Sequence, residues 1–422
     1  MTRVEPHGGS SESSVDQVVS AFFENTDHVW SNERHIDVRV TSGITYITGP
    51  SGCGKSAFLR ATLAHDPTWT VLPELAGDLA LIDHFSGSLG ERIAFLARFG
   101  LGDAQVLIRK TPWLSDGQRF RARVAAAIHS GADRIMIDEF LSTVDRTSAA
   151  IVAHNVQRIC RGRGIDLVVA TAHDDLANAL DPDLLVHVGA NSAPRVETRT
   201  PGEAWELTTR IHVSQGTLKD YLDLERFHYY PTLDFAADAR EISVVTATFD
   251  GEPVAAHLYC APYPRAWAED LEQFAEMNRR LTLGQRLVVH PAFRGMGLAR
   301  EVTAAEHAPK GIIYTRSVMS RFTDMHSALG YTRHEPLTNA LVGRSPGPVE
   351  HDSSQLLATE YADYATVVYG RAAPADVSRV AAWFATRLRD LPEDQQRAAG
   401  SITRMGGYVL EKDGCDGERR KR

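Results

Sequence analysis

Apolar and polar positions alternate in a regular way from about residue 36 to residue 188. Short β-prone runs such as ITYIT and RIMI are each followed by a longer helix-like run. This order is typical of a mainly parallel sheet covered by helices. The pattern therefore predicts an α/β domain over 26–190, preceded by a disordered polar leader at 1–25.

Two polar breaks divide the rest of the chain. The segment GANSAPRVETRTPG at 189–202 favours a linker, assigned to 191–206, and a second break at 344–354 closes a middle domain at 207–344. Beyond it, YATVVYGR at 364–371 predicts a strand, and Pro374 opens a helical pattern. We assign 355–412 to a small C-terminal appendage that docks on the middle domain, and 413–422 to a basic tail.

Composition narrows the class of protein. The chain has 422 residues, of which 43% are hydrophobic and 23% charged, with a formal net charge of −9. No apolar run approaches the length of a membrane span, which argues against direct membrane insertion. The four cysteines are scattered without metal-ligand spacing, as expected in a reducing compartment. We expect a cytoplasmic protein of two or three domains.

A glycine-rich segment follows the first predicted strand. In ITGPSGCGKS, a glycine is followed after four residues by Gly, Lys and Ser, the spacing of a P-loop. Backbone NH groups of such a loop cradle phosphates, the lysine reaches the β and γ phosphates, and the serine hydroxyl ligates Mg²⁺. The predicted ATP-binding residues are Gly49, Ser51, Gly52, Cys53, Gly54, Lys55 and Ser56.

A pair of carboxylates ends another strand-like run. RIMIDE places Asp138 and Glu139 directly after apolar residues. Together with the P-loop, this arrangement predicts that Asp138 and Ser56 hold Mg²⁺ and that Glu139 polarises the attacking water.

Three further motifs follow in an order that resembles the ATP-binding cassette (ABC) family. LSDGQ at 114–118 is similar to the family signature LSGGQ, STVD ends at Asp145, and VVATAHD contains His173. The resemblance implies that Ser115 and Gly117 contact the γ-phosphate of an ATP held by an opposite protomer. Gln118 and Asp145 belong to the same ATP site, and His173 is the catalytic switch histidine. The implied assembly is an ATP-dependent head-to-tail homodimer.

The chain departs from the family pattern in places. Asp116 stands where glycine is usual, and no Q-loop glutamine is evident before the signature, so Asp83 or His84 is a candidate substitute. The interval between P-loop and signature is short for a transporter ATPase, which argues against a transporter role. Either Phe23 or Trp30 could stack on adenine.

The middle domain carries a different motif, in QRLVVHPAFRGMGLAREV. Its RGMGLA segment resembles the coenzyme A motif of the GCN5-related (GNAT) acetyltransferases, over a domain from about 210 to 336. The resemblance implies that the preceding strand splays from its neighbour and hydrogen-bonds the pantetheine arm. The implied acetyl-CoA-binding residues are Leu287, Val288, Val289, Arg294, Gly295, Met296, Gly297, Leu298 and Ala299.

Candidates for catalysis and acceptor binding in this domain stay open. His326 aligns where the family usually supplies a tyrosine as general acid, and imidazole titrates near neutrality. The alternative is a surface histidine without a role. The acceptor pocket would lie along 218–235, where the aromatic and polar candidates can also be core residues. They are Phe227, His228, Tyr229, Tyr230 and Asp234.

These observations lead to one hypothesis and two alternatives. The hypothesis is an ABC-type ATPase fused to an acetyl-CoA-dependent N-acyltransferase, with ATP, Mg²⁺ and acetyl-CoA as ligands. Its acyl acceptor is unidentified, with DNA or RNA among the candidates. The first alternative is an ATPase whose GNAT-like domain is a binding module. The second is a transporter-associated ATPase with a regulatory acyl-CoA domain.

Overall fold

Two β-sheets organise the protein in the computed structural model. The structure describes residues 42–189, 193–202, 205–228, 241–322, 325–343, 349–371, 374–391, 393, 396 and 401–412. The predicted leader at 1–25, with Phe23, and also Trp30, Tyr229, Tyr230, Asp234 and the tail at 413–422 lie outside the described residues. No helix of the described part is both long and apolar enough to cross a bilayer.

The first sheet has six strands in the order β2-β3-β4-β1-β5-β6. The first five strands are parallel, and β6 is antiparallel to β5. Near-continuous burial of the central strands fits a sheet with helices on both faces. The strands are β1 Ile44–Thr48, β2 Thr70–Val71, β3 Arg134–Ile137, β4 Asp166–Thr171, β5 Leu184–His187 and β6 Arg195–Thr198.

Helices of the first unit begin at side chains suited to cap them. Ser88 and Ser115 each form a capping box with the residue three positions later, and Asp145 accepts from the backbone N–H of Ser148. Such caps satisfy backbone donors that the first turn leaves unpaired. The helices are α1 Lys55–His65, α2 Leu89–Ala97, α3 Ala104–Leu107, α4 Asp116–His129, α5 Arg146–Arg163 and α6 Ala177–Leu180.

The second sheet has seven strands in the order β12-β15-β11-β10-β9-β8-β7. All its neighbours are antiparallel except β10 and β11, which are parallel. A short separate ribbon pairs β13 with β14. The strands are β7 Ile211–Gly216, β8 Ile242–Phe249, β9 Glu252–Cys260, β10 Leu281–Val289, β11 Gly311–Ser317, β12 Thr332–His334, β13 Val349–Glu350, β14 Ser401–Ile402 and β15 Gly406–Lys412.

Helices cover both faces of this second sheet. Tyr221 and Leu224 of α8 pack with Val244, Leu258 and Val288 on one face. Leu298 and Val302 of α11 pack on the other face, within the core that extends into the first unit. The helices are α7 Glu206–Thr209, α8 Leu218–Leu224, α9 Arg265–Asp270, α10 Glu272–Arg280, α11 Leu298–Ala304, α12 Met325–Ala328, α13 Asn339–Val342, α14 Ser353–Tyr369 and α15 Pro374–Arg387.

The predicted strand at 364–371 is wrong, because most of that segment lies in helix α14. Its β-prone letters lie on a longer helical period: Tyr361, Tyr364, Ala365 and Val368 recur at helical spacing and are buried in one aromatic cluster. The tertiary contact therefore outweighs the local β preference of Val and Tyr. The helix predicted from Pro374 is present as α15.

The predicted boundaries of the linker and appendage also differ from the structure. Residues 195–198 of the expected linker form the edge strand β6. Residues 406–412 of the expected appendage form β15, which lies inside the second sheet between β11 and β12. Strand insertion joins residues distant in sequence, so local composition gives no sign of it. The second unit thus extends to Lys412.

The two units share one hydrophobic core. Phe99, Leu101 and Val156 of the first unit belong to the same buried cluster as Phe293 and Leu298 of the second. We call the contact surface between the units the junction, defined by α2 and α5 on the first unit and by 291–295 and Phe322 on the second. An added Cβ on Gly90 would lie 1.5 Å from the Phe322 carbonyl oxygen, so the backbones touch directly there.

Candidate functional site

The predicted P-loop connects β1 to α1 at the carboxyl end of a buried strand. Lys55 is 9% exposed, and its Nζ donates to the carbonyl oxygens of Gly49 at 2.6 Å and Pro50 at 2.8 Å. A Cβ on Gly49 would lie 2.1 Å from the Val188 carbonyl oxygen, so a side chain does not fit there. The P-loop therefore wraps around the Lys55 side chain, and its serines and glycines belong to this one loop.

Both predicted carboxylates lie at the same edge of the first sheet. Asp138 and Glu139 follow β3, which is separated from β1 by β4 alone. Both residues are exposed, and Asp138 Oδ1 accepts from the Glu139 backbone N–H at 2.9 Å. Glu139 has φ 50, a left-handed conformation that a non-glycine residue rarely adopts. Strained backbone of this kind is common where a side chain must be aimed at a ligand.

His173 follows β4 and is tied to β1. Its carbonyl oxygen accepts from the Tyr46 hydroxyl at 2.6 Å and from Thr48 Oγ1 at 2.8 Å. These bonds hold the segment beside the strand that leads into the P-loop. The P-loop, the two carboxylates and His173 thus follow three adjacent parallel strands of the sheet, at their carboxyl ends.

The signature turn and Asp145 meet each other on a second surface. Ser115 caps α4, and a Cβ on Gly117 would lie 3.1 Å from the Thr143 carbonyl oxygen. Gln118 returns a hydrogen bond to the Ser115 backbone N–H at 3.0 Å. In the described part of the chain, no hydrogen bond or ion pair joins this turn to the P-loop.

Each residue named above as a departure from the family pattern contacts a neighbouring side chain. Asp116 is 82% exposed at its side chain and lies 3.5 Å from Arg119 on the same helix. His84 Nε2 lies 3.1 Å from Thr111 Oγ1, and Asp83 pairs with Arg92 at 3.7 Å. Neither Asp83 nor His84 is therefore shown to act as a Q-loop residue.

The side chains proposed for Mg²⁺ form a small donor set. Ser56 lies in the first turn of α1, and Asp138 follows β3. Across the described residues, no group of three or more His, Cys, Asp or Glu side chains could hold a metal. Mg²⁺ commonly takes one or two protein ligands and completes its shell with phosphates and water. The set fits Mg²⁺ bound together with a nucleotide.

A second candidate site lies where β10 and β11 diverge. The two strands pair only from Leu281 to Gly284, and a bulge follows before Arg286. From there to Val289, β10 keeps only β9 as a partner among the described strands. Its open edge lines a cleft of about 530 Å³ that opens to solvent. Leu287, one of the residues predicted to bind acetyl-CoA, lies on this edge.

The glycine loop predicted for acetyl-CoA lies at the junction. Gly295 and Gly297 are exposed, and α11 begins at Leu298. Asn155 of α5 donates from Nδ2 to the carbonyl oxygens of Arg98 at 2.8 Å and Arg294 at 3.2 Å. Burial lowers the pKa of Arg294, whose Nε donates to the Val289 carbonyl oxygen at 3.3 Å. The arginine therefore supports the loop from behind.

His326 lines the cleft and is buried, with 7% of its surface exposed. Its ring stacks on Tyr408 with 4.6 Å between centroids and meets the edge of Tyr331. The alternative of a surface histidine is therefore wrong. Tyr408 belongs to the inserted strand β15, so this arrangement was not visible from the motif alone.

The acceptor-side candidates divide between core and cleft. Phe227 packs against the cluster beneath α8, and its ring meets His290 at 4.6 Å between centroids. His228 lines the cleft. The structure therefore places one predicted aromatic in a packing role and the neighbouring imidazole at the candidate site.

Sequence reasoning missed a buried polar group below the cleft. His257 of β9 is 4% exposed, and its Nδ1 lies 2.7 Å from the Tyr259 hydroxyl and 3.1 Å from Thr303 Oγ1. Its Nε2 faces Gly284, where an added Cβ would lie 3.2 Å away. Burial lowers the pKa of His257 to about 3, with His326 and Lys412 adding to the effect. No motif marks this histidine.

His257 should make stability depend on pH. Between an unfolded pKa near 6.5 and the folded value of about 3, the unfolded chain binds a proton that the folded chain does not. Stability should therefore fall as pH decreases through this window, by up to about 1.4 kcal/mol per pH unit. Urea unfolding of the second unit, followed by fluorescence at pH 7, 6, 5 and 4, measures this slope.

The matched variants are His257→Gln, which keeps an acceptor for Tyr259, and His212→Gln on the exposed side of β7. We expect the first variant to flatten the pH slope and the second to leave it unchanged. Equal slopes in wild type and His257→Gln would contradict the assignment.

Curated relatives match part of the chain. A methionine import ATP-binding protein MetN of Xanthomonas oryzae pv. oryzae is 30% identical over 193 residues, covering 44% of this chain and 54% of the relative. A lipoprotein-releasing system ATP-binding protein LolD of Novosphingobium aromaticivorans is 24% identical over 196 residues, covering 37% of this chain and 88% of the relative. The chain spans only 11% of ABC multidrug transporter B of Aspergillus fumigatus, at 27% identity.

Among solved structures, a dimeric bacterial ABC transporter cassette aligns with a TM-score of 0.33 and 16% identity, covering 39% of this chain and 89% of that one. No protein-family model matches the chain. The sequence matches to curated relatives agree with the motifs around the P-loop. The chain thus contains an ATP-binding cassette of the ABC type, with a P-loop, within an α/β fold.

Proposed function

We propose that this ABC cassette hydrolyses ATP as a head-to-tail homodimer and is joined to an acetyl-CoA-dependent N-acyltransferase. One observation carries the second activity: the open edge of β10 lines a cleft, and the same strand leads through residues 290–294 into the exposed glycine loop at 295–297. An extended thioester needs a strand edge to pair with and a small-residue turn for its diphosphate.

In the cassette, each step of ATP hydrolysis has a candidate residue at the carboxyl ends of the first sheet's strands. Lys55 would provide positive charge for the β and γ phosphates, and the P-loop backbone would provide NH donors. Ser56 and Asp138 would hold Mg²⁺, which neutralises phosphate charge when bound. Glu139 is exposed and can accept a proton from the attacking water. His173 follows the neighbouring strand β4 and would contact the γ-phosphate.

The position of the signature turn supports the dimer. Ser115, Gly117 and Asp145 lie together on a surface that has no described bond to the P-loop of the same chain. A second copy, turned head to tail, would place this surface over the phosphates. Such an arrangement closes with C2 symmetry and buries two nucleotides.

In the second unit, the proposed reaction is direct acyl transfer. The acceptor nitrogen attacks the thioester carbonyl, forming a C–N bond while the C–S bond breaks. The nitrogen loses one proton, and the leaving thiolate gains one. His326 lines the cleft and is the candidate donor to the thiolate, since no tyrosine occupies that position in α12.

A calorimetric titration of acetyl-CoA tests the second activity. Gly297→Ala adds a methyl group to the exposed loop, and Gly251→Ala adds one to the β8–β9 turn. The two glycines have φ 89 and φ 86, and neither has an atom within 4 Å of an added Cβ, so the backbone cost is matched. We expect binding to weaken at least about tenfold in the first variant alone, because the methyl group blocks the diphosphate. Wild-type protein that binds no acetyl-CoA would overturn the proposal.

Coupling of the two activities is expected from the junction. Helix α5 begins at Asp145 of the ATP site, and its Asn155 contacts the Arg294 carbonyl oxygen at the glycine loop. Repeating the titration with Glu139→Gln protein should therefore show an acetyl-CoA affinity that changes when ATP and Mg²⁺ are added. Asn155→Ala should remove this change, and Asn178→Ala, at an exposed position, should retain it. Equal affinity with and without ATP would show uncoupled units.

A second candidate function is a binding module, favoured by His326 in place of the expected tyrosine. In that case acetyl-CoA would bind, but no amine would cause release of the coenzyme A thiol. A role beside a transporter is favoured by the names of the matched relatives, which include import ATP-binding proteins. Co-purification with a membrane protein would support that reading.

A further inference from the structure

The cleft between β10 and β11 has a positively charged lining. It contains the guanidinium groups of Arg286 and Arg316 and the imidazoles of His228 and His326, and no Asp or Glu lines it in the described part. The cleft therefore repels cations and attracts anions. An acyltransferase acting on an amine would not be expected to surround a plain ammonium group with like charges.

The two arginines differ in how far their charge is compensated. Arg316 pairs with Glu360, a half-buried carboxylate of α14, and also donates to Thr338 Oγ1 at 3.4 Å. This ion pair neutralises Arg316 and attaches α14 to the sheet. Of the two cleft arginines, Arg286 is therefore the one whose charge is not balanced by a described carboxylate.

Arg286 lacks a carboxylate partner within the described residues. Its Nε is buried without a hydrogen-bond partner, and one terminal nitrogen donates to the adjacent Gln285 carbonyl oxygen at 3.2 Å. Arg286 follows the bulge after Gly284, and its guanidinium lies near the Tyr221 hydroxyl of α8. A guanidinium with free donors at a solvent-open cleft is suited to a carboxylate or phosphate.

A neighbouring hydroxyl faces Arg286. Tyr221 of α8 is fully buried and lies outside the lining of the cleft. Burial raises the pKa of Tyr221 to about 12, and the charge and hydrogen bonding of Arg286 oppose that rise, which places the two groups close together. The Tyr221 hydroxyl therefore positions the guanidinium from behind.

We propose that the acyl acceptor is a small amine that also carries a carboxylate or phosphate, bound through Arg286, which Tyr221 positions. This inference rests on the proposed acyltransferase activity and names its substrate class. The anionic group occupies the Arg286 side of the cleft, and the amine points to the β10 edge where the thioester lies. The cleft opens to solvent, so a small molecule can enter it.

The positive lining also favours the reactive form of the amine. The nearby charge of the Arg286 guanidinium lowers the pKa of an ammonium group, so more of it is neutral at pH 7. A neutral nitrogen has the lone pair that attacks the carbonyl. The same charges thus attract the anionic group and help to deprotonate the nucleophile.

The test uses matched amines that differ only in the anion. They are glycine against glycinamide, and O-phosphoethanolamine against ethanolamine, with thiol release from acetyl-CoA as the measurement. We expect the wild-type kcat/KM to be at least about tenfold higher for the anionic member of each pair. The neutral analogue leaves the donors of the Arg286 guanidinium without an acceptor. The two pairs separate carboxylate from phosphate.

Four variants test which residues cause the preference for the anionic amine. Arg286→Gln should abolish it, Arg286→Lys should retain part of it, and Tyr221→Phe should reduce it. Arg333→Gln changes an exposed arginine of β12 and should leave the preference intact. Equal use of neutral and anionic amines by the wild type, or an unchanged preference in Arg286→Gln, would overturn the inference.

Failure of this inference can be told apart from failure of the proposed function. If acetyl-CoA does not bind to the wild-type chain, the proposed acyltransferase itself is wrong. If acetyl-CoA binds and thiol release is accelerated by DNA or RNA and by no small amine, the activity stands and the small anionic acceptor is refuted. Binding without acceleration by any member of the panel also refutes it.

Discussion

Lys55→Ala should lower ATP turnover by at least about a hundredfold, because it removes the positive charge that faces the β and γ phosphates. In the structure, the Lys55 ammonium also bonds the carbonyl oxygens of Gly49 and Pro50, so its loss loosens the loop as well. Nucleotide affinity should therefore fall together with turnover. Phosphate release at saturating ATP and fluorescent-nucleotide binding measure the two effects.

The control for this variant is Lys110→Ala, at an exposed lysine of the same cassette. It removes one positive charge from the chain without touching the P-loop, and we expect turnover within about twofold of wild type, as for most surface substitutions. If purified Lys55→Ala protein turns over ATP at the wild-type rate, the P-loop assignment is refuted.

Glu139→Gln should slow hydrolysis by about a hundredfold or more while ATP affinity stays within a few-fold of wild type. Glutamine keeps the size of the side chain and removes the charge that accepts a proton from water. The backbone at this position, with φ 50, is unchanged by the substitution. ATP should accumulate in the protein, and light scattering with ATP and Mg²⁺ should show a dimer.

The contrast between the two variants separates binding from chemistry. Lys55→Ala loses both, whereas Glu139→Gln loses hydrolysis and keeps the nucleotide. Glu74→Gln is the matched control, because Glu74 is 83% exposed at its side chain and pairs with Arg123 on the surface. Wild-type hydrolysis by Glu139→Gln would mean that another group activates the water, with His173 as the nearest candidate.

The ATP site could be predicted because its residues are local in sequence and ordered by the sheet. Each motif follows a strand, and parallel neighbours bring their carboxyl ends to one edge. Lys55, Asp138 and His173 therefore come together without any knowledge of side-chain packing.

The second unit was predicted less completely, for a physical reason. Its glycine loop is a short contiguous motif, but the cleft depends on β15, which joins the sheet from about seventy residues beyond the last recognised strand at 332–334. Tyr408 from that strand packs on His326 and buries it. Local patterns at 364–371 even favoured a strand where packing against an aromatic cluster gives a helix.

The sequence by itself determined which groups can bind phosphate and accept a proton, because chemistry depends on residue type at fixed short spacing. Tertiary structure alone decided what surrounds those groups: the placement of Arg286 near Tyr221, the buried His257, and the contact between Asn155 and the Arg294 carbonyl oxygen. Each of these joins residues that are far apart in the chain or depends on burial by several elements. Burial and long-range pairing, rather than local preference, set the lining of the cleft and the contact between the two units.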